Sequence, residues 1–255
     1  MRQRPVRDIT VVNKPLVMRL ARDLGLAVDD MSEYELKADL KVASFARKSS
    51  RPASWDVLDR ITAALRESGQ LRAFRPERTY DSRFPGRSLT STPAGWYLHE
   101  EMTATPVMVP VPHRLVDFGA PETLKVWVSE PLESGEEARF PGDFVGSFVF
   151  LVDELAETHT VPRHLSGISA LRLLMEGILQ DKEITEITRG KDGWGRDSNE
   201  HPIEKLERAG GQPLRERAIE TVYKIAYMTN EQTWVHNGTE ARVNDILGYP
   251  LYIAE

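Results

Sequence analysis

The sequence predicts an α+β fold, a mostly antiparallel sheet with three to five packed helices. Three observations support this class. Apolar residues recur at helical spacing in several segments, strand-like runs follow one another from Trp96 onward, and Asn237-Gly238 between two such runs is typical of a hairpin turn. Strands and helices do not alternate regularly, which argues against a doubly wound sheet. We expect one domain over residues 1–255, with a subdivision near the glycine-rich residues 188–202 as the alternative.

The first half of the chain contains two predicted helices and two predicted strands. Residues 9–12 have the character of a short strand, and Pro15 lies in the first turn of a helix that ends at Gly25. Residues 35–46 alternate between apolar and charged side chains, which predicts a half-buried strand. Segment 50–69 carries an apolar stripe at helical spacing and ends in glycine, which predicts a second helix. The stretch that follows is rich in arginine and proline and predicts a long ordered loop.

The second half predicts a series of strands, two helices and a closing hairpin. Prolines in residues 106–112 predict an edge strand or a bent strand, because proline cannot donate to a ladder. Residues 166–180 and 213–228 have apolar positions at helical spacing, which predicts a helix in each. The predicted strands of this half, apart from the hairpin, are residues 96–102, 106–112, 113–119, 124–131, 144–155 and 250–255.

Composition excludes several classes of protein. The 255-residue chain has no cysteine, which excludes disulfides, zinc–thiolate sites, iron–sulfur clusters and cysteine nucleophiles. Its net charge of -6 argues against a nucleic-acid partner, which would select a basic face. The basic N-terminal segment lacks the apolar stretch of a secretory signal, and no run approaches the ~18 apolar residues of a membrane span. We therefore expect a cytoplasmic protein that does not enter a membrane.

The densest group of histidine and carboxylate side chains lies in residues 95–114. On a strand, His99 and Glu101 project to one face and Glu100 projects to the other. His99, Glu101 and His113 could then form a metal site of the two-histidine, one-carboxylate type, or an acid–base group. The alternative is structural: Glu100 and Glu101 would be solvated, and His99 would pair with a residue of a neighbouring strand.

Loops rich in arginine and glycine supply the candidate ligand-binding residues. Residues 189–196 combine glycines, a tryptophan and cations, which an anionic or planar ligand could use. The alternative for that segment is a tight surface loop with a docked tryptophan. A local basic patch, if present, would lie in the arginines that run from Arg72 to Arg87. The candidate ligand-binding residues are Arg87, Arg189, Lys191, Trp194 and Arg196.

Four segments follow one another in the part of the chain from residue 35 to residue 119, and the last of them runs past residue 119. They are "ELKADLKVASFARK", "WDVLDRITAALRESGQL", "YDSRFPGRSLTSTPAGWYLHEEM" and "RLVDFGAPETLKVWVSEP". In this order they resemble an uncharacterised family of bacterial proteins encoded near NTPase-dependent conflict systems of the antiphage type. Those proteins begin with a strand that ends in Ser-Asp-Thr-Lys; this chain has "TVVNKP" there, so only Lys14 corresponds. The family has no established activity. The resemblance implies an accessory protein and assigns no residue a role.

The sequence leaves two main functions open, because a third, a nucleic-acid binder that uses the arginines of residues 72–87, is the weakest for an acidic chain. The first is a cytoplasmic accessory or ligand-sensing protein that binds a protein partner or a small anionic ligand. The alternative is an enzyme whose site is gathered from separate strands, with dependence on a metal left open. No motif indicates a cofactor or a particular metal, and the formation of a homo-oligomer is also left open.

Overall fold

The computed structural model describes residues 8–26, 53–72, 96–110, 123–131, 143–152, 201–208, 210–228, 232–236 and 238–255. These ranges contain nine strands and three helices. The elements are β1 (Ile9–Val12), α1 (Lys14–Asp23), α2 (Ala53–Glu67), β2 (Leu71–Arg72), β3 (Tyr97–Pro110), β4 (Thr123–Ser129), β5 (Asp143–Val152), α3 (Pro202–Arg208), β6 (Gln212–Pro213), β7 (Arg217–Met228), β8 (Gln232–His236) and β9 (Thr239–Ala254). The predicted strands 35–46 and 113–119, the predicted helix 166–180 and almost all of the predicted loop and subdivision lie outside the described residues.

Five of the strands close into a barrel. The long strand β3 pairs with β7 through residues 97–104 and with β4 through residues 105–110. β4 pairs with β5, β5 runs parallel to β9, and β9 returns antiparallel to β7. Taken in chain order, the barrel strands therefore follow one another in space as first, second, third, fifth and fourth. This is a Greek-key barrel of the type to which OB-folds belong.

The predicted α+β class is wrong, because the described chain is mostly strand and its sheet closes on itself. The largest error is the predicted helix over residues 213–228, which the structure replaces with β7. Ile219, Val222 and Ile225 have helical spacing, but the barrel buries both faces of this strand. Ile219 and Ile225 belong to the barrel interior, whereas Val222 packs against helices on the outside. Burial on both faces removes the period-2 alternation that marks a half-buried strand.

Two apolar clusters account for much of the core in the part of the chain that the structure describes. The first fills the barrel and draws side chains from all five barrel strands, among them Leu98, Trp127, Val149, Ile219 and Ile246. The second lies outside the barrel, where α1 and α2 cover the face formed by β3, β7 and β9. It contains the buried residues Leu16, Val17, Leu20, Trp55, Leu58, Ile61, Leu65, Tyr97, Val222 and Tyr252. The two helices thus shield a barrel face that would otherwise be wet and apolar.

The predicted helices near the N-terminus are confirmed, and residues close in sequence mark where they begin and end. Asn13 caps α1, because its side-chain Oδ1 accepts a hydrogen bond from the backbone N–H of Leu16 at 3.0 Å. Pro15 lies in the first turn, where no intrahelical N–H is needed. Gly25 and Gly69 follow the ends of α1 and α2 with φ angles of 65° and 70°. Within the ranges that the structure describes, no helix is long and apolar enough to cross a membrane.

Candidate functional site

The pairing of β3 with β7 decides which polar side chains share a face. His99 lies opposite Val222, and Glu101 lies opposite Glu220. Residues opposite one another in an antiparallel pair project to the same side, so His99, Glu101 and Glu220 lie on the face that α1 and α2 partly cover. Glu100 projects to the barrel side. His99 and Glu101 therefore lie on one face of β3 and Glu100 on the other, as the alternation in the sequence predicts.

A three-residue network joins β3, β7 and β9; we refer to His99, Glu220 and Tyr252 as the imidazole–carboxylate network. The Nε2 atom of His99 lies 2.9 Å from Oε1 of Glu220. The hydroxyl of Tyr252 donates to the same oxygen at 3.1 Å. Glu220 is only 5% exposed, so these two hydrogen bonds compensate for hydration that its carboxylate loses on burial. When Glu220 is ionised it can only accept, and the neutral imidazole then carries its proton on Nε2 and has Nδ1 as its acceptor.

The outer core holds this network in place. Trp55 of α2 meets the Tyr252 ring edge-on, with 5.4 Å between ring centroids and 73° between planes. Thr221 donates its hydroxyl to the backbone carbonyl of Tyr252 at 2.7 Å, a buried contact. The tyrosine is therefore fixed by packing on one side and by the ladder on the other. The side chain of His99 keeps 16% of its surface exposed, so the network reaches solvent through this side chain.

Glu100 belongs to a separate interaction on the barrel side of β3. Its Oε2 accepts a hydrogen bond of 2.6 Å from the hydroxyl of Tyr223, whose side chain is fully buried. Glu100 itself is half-buried, whereas Glu101 on the opposite face is exposed. The two adjacent carboxylates thus lie in different environments, and only Glu101 shares a face with His99.

A cation and an indole ring meet where β2 joins β3. The guanidinium carbon of Arg72 lies 4.1 Å from the centroid of the Trp96 ring. The backbone around Trp96 is fixed, since the carbonyl of Trp96 accepts from Ile225 and the amide of Tyr97 donates to the carbonyl of Gln70. Arg72 is exposed and Trp96 is half-buried. The arrangement holds a permanent positive charge at the surface in a defined position.

Of the residues predicted from the sequence as catalytic, His99 and Glu101 are described and His113 is not. The predicted ligand-binding residues Arg87, Arg189, Lys191, Trp194 and Arg196 also lie outside the described ranges. Among the described side chains, no three histidine, aspartate or glutamate residues converge closely enough to hold a metal ion. The roles assigned to these residues from the sequence stay predictions.

Sequence reasoning missed Glu220 and Tyr252. Glu220 lies 121 positions after His99 and was placed in a predicted helix, so nothing local connected the two. Residues 250–255 were predicted as a final strand, but the strand to which they belong also pairs with β7. The only usable signal was a carboxylate placed among the apolar residues of 219–225, because a buried carboxylate requires a partner.

The chain has no match in any of three comparisons: no protein-family model, no curated protein and no solved structure matches it. No residue therefore inherits a role from a relative. The geometry and chemistry of the imidazole–carboxylate network and of the Arg72–Trp96 pair carry the proposals that follow.

Proposed function

We propose that this chain is an accessory or ligand-sensing protein that binds a small anionic ligand or an acidic surface of a protein partner. The observation that carries the proposal is the stacking of Arg72 on Trp96 at the start of the first barrel strand. Among the described residues, no carboxylate forms an ion pair with this guanidinium. A positioned and exposed cation of this kind suits an incoming carboxylate or phosphate.

The contact with Trp96 lowers the side-chain entropy that Arg72 would lose on binding a ligand. An arginine side chain loses about 2 kcal/mol of rotamer entropy when it is immobilised. A cation–π contact at an exposed site contributes about 0.5–1 kcal/mol, so a substantial part of that ordering is already achieved in the free protein. The guanidinium has five N–H donors, and those directed away from the indole ring remain for a ligand.

The architecture supports binding in a more general way. Small Greek-key barrels frequently serve as binding scaffolds, although a fold alone selects neither the ligand nor the chemistry. The resemblance of residues 35–119 to accessory proteins points in the same direction. Arg87 and the cations of residues 189–196 stay predicted ligand-binding residues.

Thermal unfolding of the purified chain with a panel of anions tests this proposal. Inorganic phosphate, citrate, ATP and a glutamate-rich peptide are suitable probes. A ligand at one hundred times its Kd stabilises the folded state by about 2.7 kcal/mol, which raises the Tm measurably. We expect at least one probe to stabilise the wild type and to lose most of this effect in Arg72→Ala.

The matched control is Arg19→Ala, which removes an equally exposed arginine from the middle of α1. This variant should keep the full stabilisation, because the proposed binding site is at Arg72. If general electrostatic attraction were the cause, both variants would lose stabilisation alike. Equal stabilisation of wild type and Arg72→Ala would contradict the proposed binding site. An absence of stabilisation by every anion in the panel, the acidic peptide included, would contradict the proposed function.

A further inference from the structure

We infer that His99 is a proton-transfer residue, positioned by Glu220 and Tyr252, that acts on a hydroxyl group of a substrate or on water. This activity goes beyond the binding function proposed above and rests on different residues. The network has the arrangement required of a general base: an imidazole with one nitrogen held by a carboxylate and the other available as an acceptor.

With Glu220 ionised, the geometry supports the protonation pattern that such a base needs. Glu220 accepts from His99 and from Tyr252 through one oxygen atom, so the carboxylate is held between two donors. With the proton of the neutral ring on Nε2, the lone pair of Nδ1 can accept a proton from a substrate. Protonation at Nδ1 gives an imidazolium next to a buried negative charge, and the new charge is compensated where it forms.

A second histidine, His201, has both ring nitrogens engaged and therefore serves as an internal comparison for His99. In His201, Nδ1 accepts from the backbone N–H of Ile203 at 3.2 Å, and Nε2 lies 3.3 Å from a carboxylate oxygen of Glu130. Its ring also packs edge-on against Phe148. Both nitrogens of His201 are therefore engaged. Within the described ranges, by contrast, His99 forms a hydrogen bond through Nε2 alone.

The proposed reaction is the hydrolysis of an activated ester, with water as the nucleophile. Water gives one proton to Nδ1 of His99, and the electron pair of that O–H bond remains on the oxygen. The oxygen forms a bond to the acyl carbon, and the bond from this carbon to the leaving oxygen breaks with its electron pair. His99 then returns its proton to solvent, so the imidazole is regenerated and no oxidant or reductant is needed.

Chemical modification with diethyl pyrocarbonate measures the availability of the imidazole directly. A neutral imidazole nitrogen attacks the reagent, a nitrogen–carbon bond forms, and the departing ethyl carbonate decomposes to carbon dioxide and ethanol. Peptide mapping by mass spectrometry gives the rate at each histidine separately. We expect His99 to react roughly tenfold faster than His201, because acylation requires a free nitrogen lone pair.

Two carboxylate variants, one inside the network and one outside it, separate positioning from simple charge. Glu220→Gln should lower the modification rate of His99 about tenfold, because the hydrogen bond at Nε2 decides which nitrogen keeps the free lone pair. Glu216→Gln removes an exposed carboxylate just before β7 and should leave the rate unchanged. The rate at His201 should be the same in all three proteins.

Three further measurements cover the case in which Glu220→Gln does not fold. Nitrogen-15 shifts of the wild-type imidazole should identify the tautomer with the proton on Nε2, and Tyr252→Phe should reduce the modification rate to an intermediate value. p-Nitrophenyl acetate should be hydrolysed faster by the wild type than by His99→Gln. A rate at His99 equal to that at His201, a tautomer with the proton on Nδ1, or equal ester hydrolysis by wild type and His99→Gln would each overturn the inference.

Discussion

Two tyrosine–glutamate hydrogen bonds in this barrel differ in length and in burial, and replacing each tyrosine by phenylalanine shows which property determines stability. Tyr252 donates to Glu220 at 3.1 Å, and Tyr223 donates to Glu100 at 2.6 Å. Length alone would rank the second bond as the stronger. Burial gives the opposite order, because Glu220 is 5% exposed whereas Glu100 is half-buried.

Burial should prevail, since the cost of a lost hydrogen bond is set by what replaces it. Without the Tyr252 hydroxyl, Glu220 loses a hydrogen-bond donor where water has little access. Hydrogen bonds to charged groups contribute about 1.5–3 kcal/mol, and Tyr252→Phe should cost an amount in that range. Glu100 can recruit water in place of Tyr223, so Tyr223→Phe should cost about 0.5–1.5 kcal/mol. Phenylalanine keeps the ring in both positions, so packing against Trp55 is retained.

Urea unfolding followed by circular dichroism measures both changes. With a slope of about 2 kcal/mol per molar urea, a loss of 2 kcal/mol lowers the midpoint by about 1 M. The double variant Tyr252→Phe/His99→Gln should show non-additive costs, because both residues bind the same oxygen of Glu220. If Tyr223→Phe proved as costly as Tyr252→Phe or costlier, burial would not be the controlling property.

Core packing gives two further predictions, both measurable by urea or thermal unfolding. Leu98→Ala removes a fully buried side chain of the barrel interior and should cost about 2–5 kcal/mol, whereas Leu214→Ala, at a residue 44% exposed, should be nearly neutral; comparable costs would refute the assignment of the interior. Gly248→Ala would place a Cβ atom 2.4 Å from the Tyr223 ring and should cost about 1–3 kcal/mol by overpacking. Gly238→Ala meets no atom within 4 Å and should cost only about 1 kcal/mol, for its φ of 78°; the reverse order would contradict the close approach at residue 248.

Elements with local signals were predicted well from the sequence. The apolar stripes of α1 and α2, the glycines that follow these helices, the short strand β1 and the hairpin turn between β8 and β9 all depend on residues close to one another in the chain. The two predicted strands 96–102 and 106–112 instead form one strand, β3. Its path continues through Pro106 because the ladder partner changes there: β7 ends its pairing at Ala104, and β6 resumes it at Val107.

Closure of the barrel could not be predicted, because it depends on contacts between distant parts of the chain. The pairing of β3 with β7 joins residues more than a hundred positions apart, and β5 and β9 lie parallel without any periodic signal for that arrangement. The candidate site could not be predicted in full for the same reason, since its residues are also distant in sequence. His99 was identified from local density of polar residues, whereas its partners Glu220 and Tyr252 become visible only once three strands are placed side by side.

The last barrel strand has consequences for how the chain acquires its structure. β9 is the neighbour of β1, β5, β7 and β8, so four ladders remain open until residues 239–254 are available. During synthesis the earlier strands emerge with unpaired edges, which can pair with other chains. Most of these contacts are distant in sequence, and the loop-closure entropy they require slows folding. Arrival of β9 at the ribosome exit therefore marks the point at which the nascent chain can pass from an association-prone intermediate to a barrel without open edges at β5 and β7.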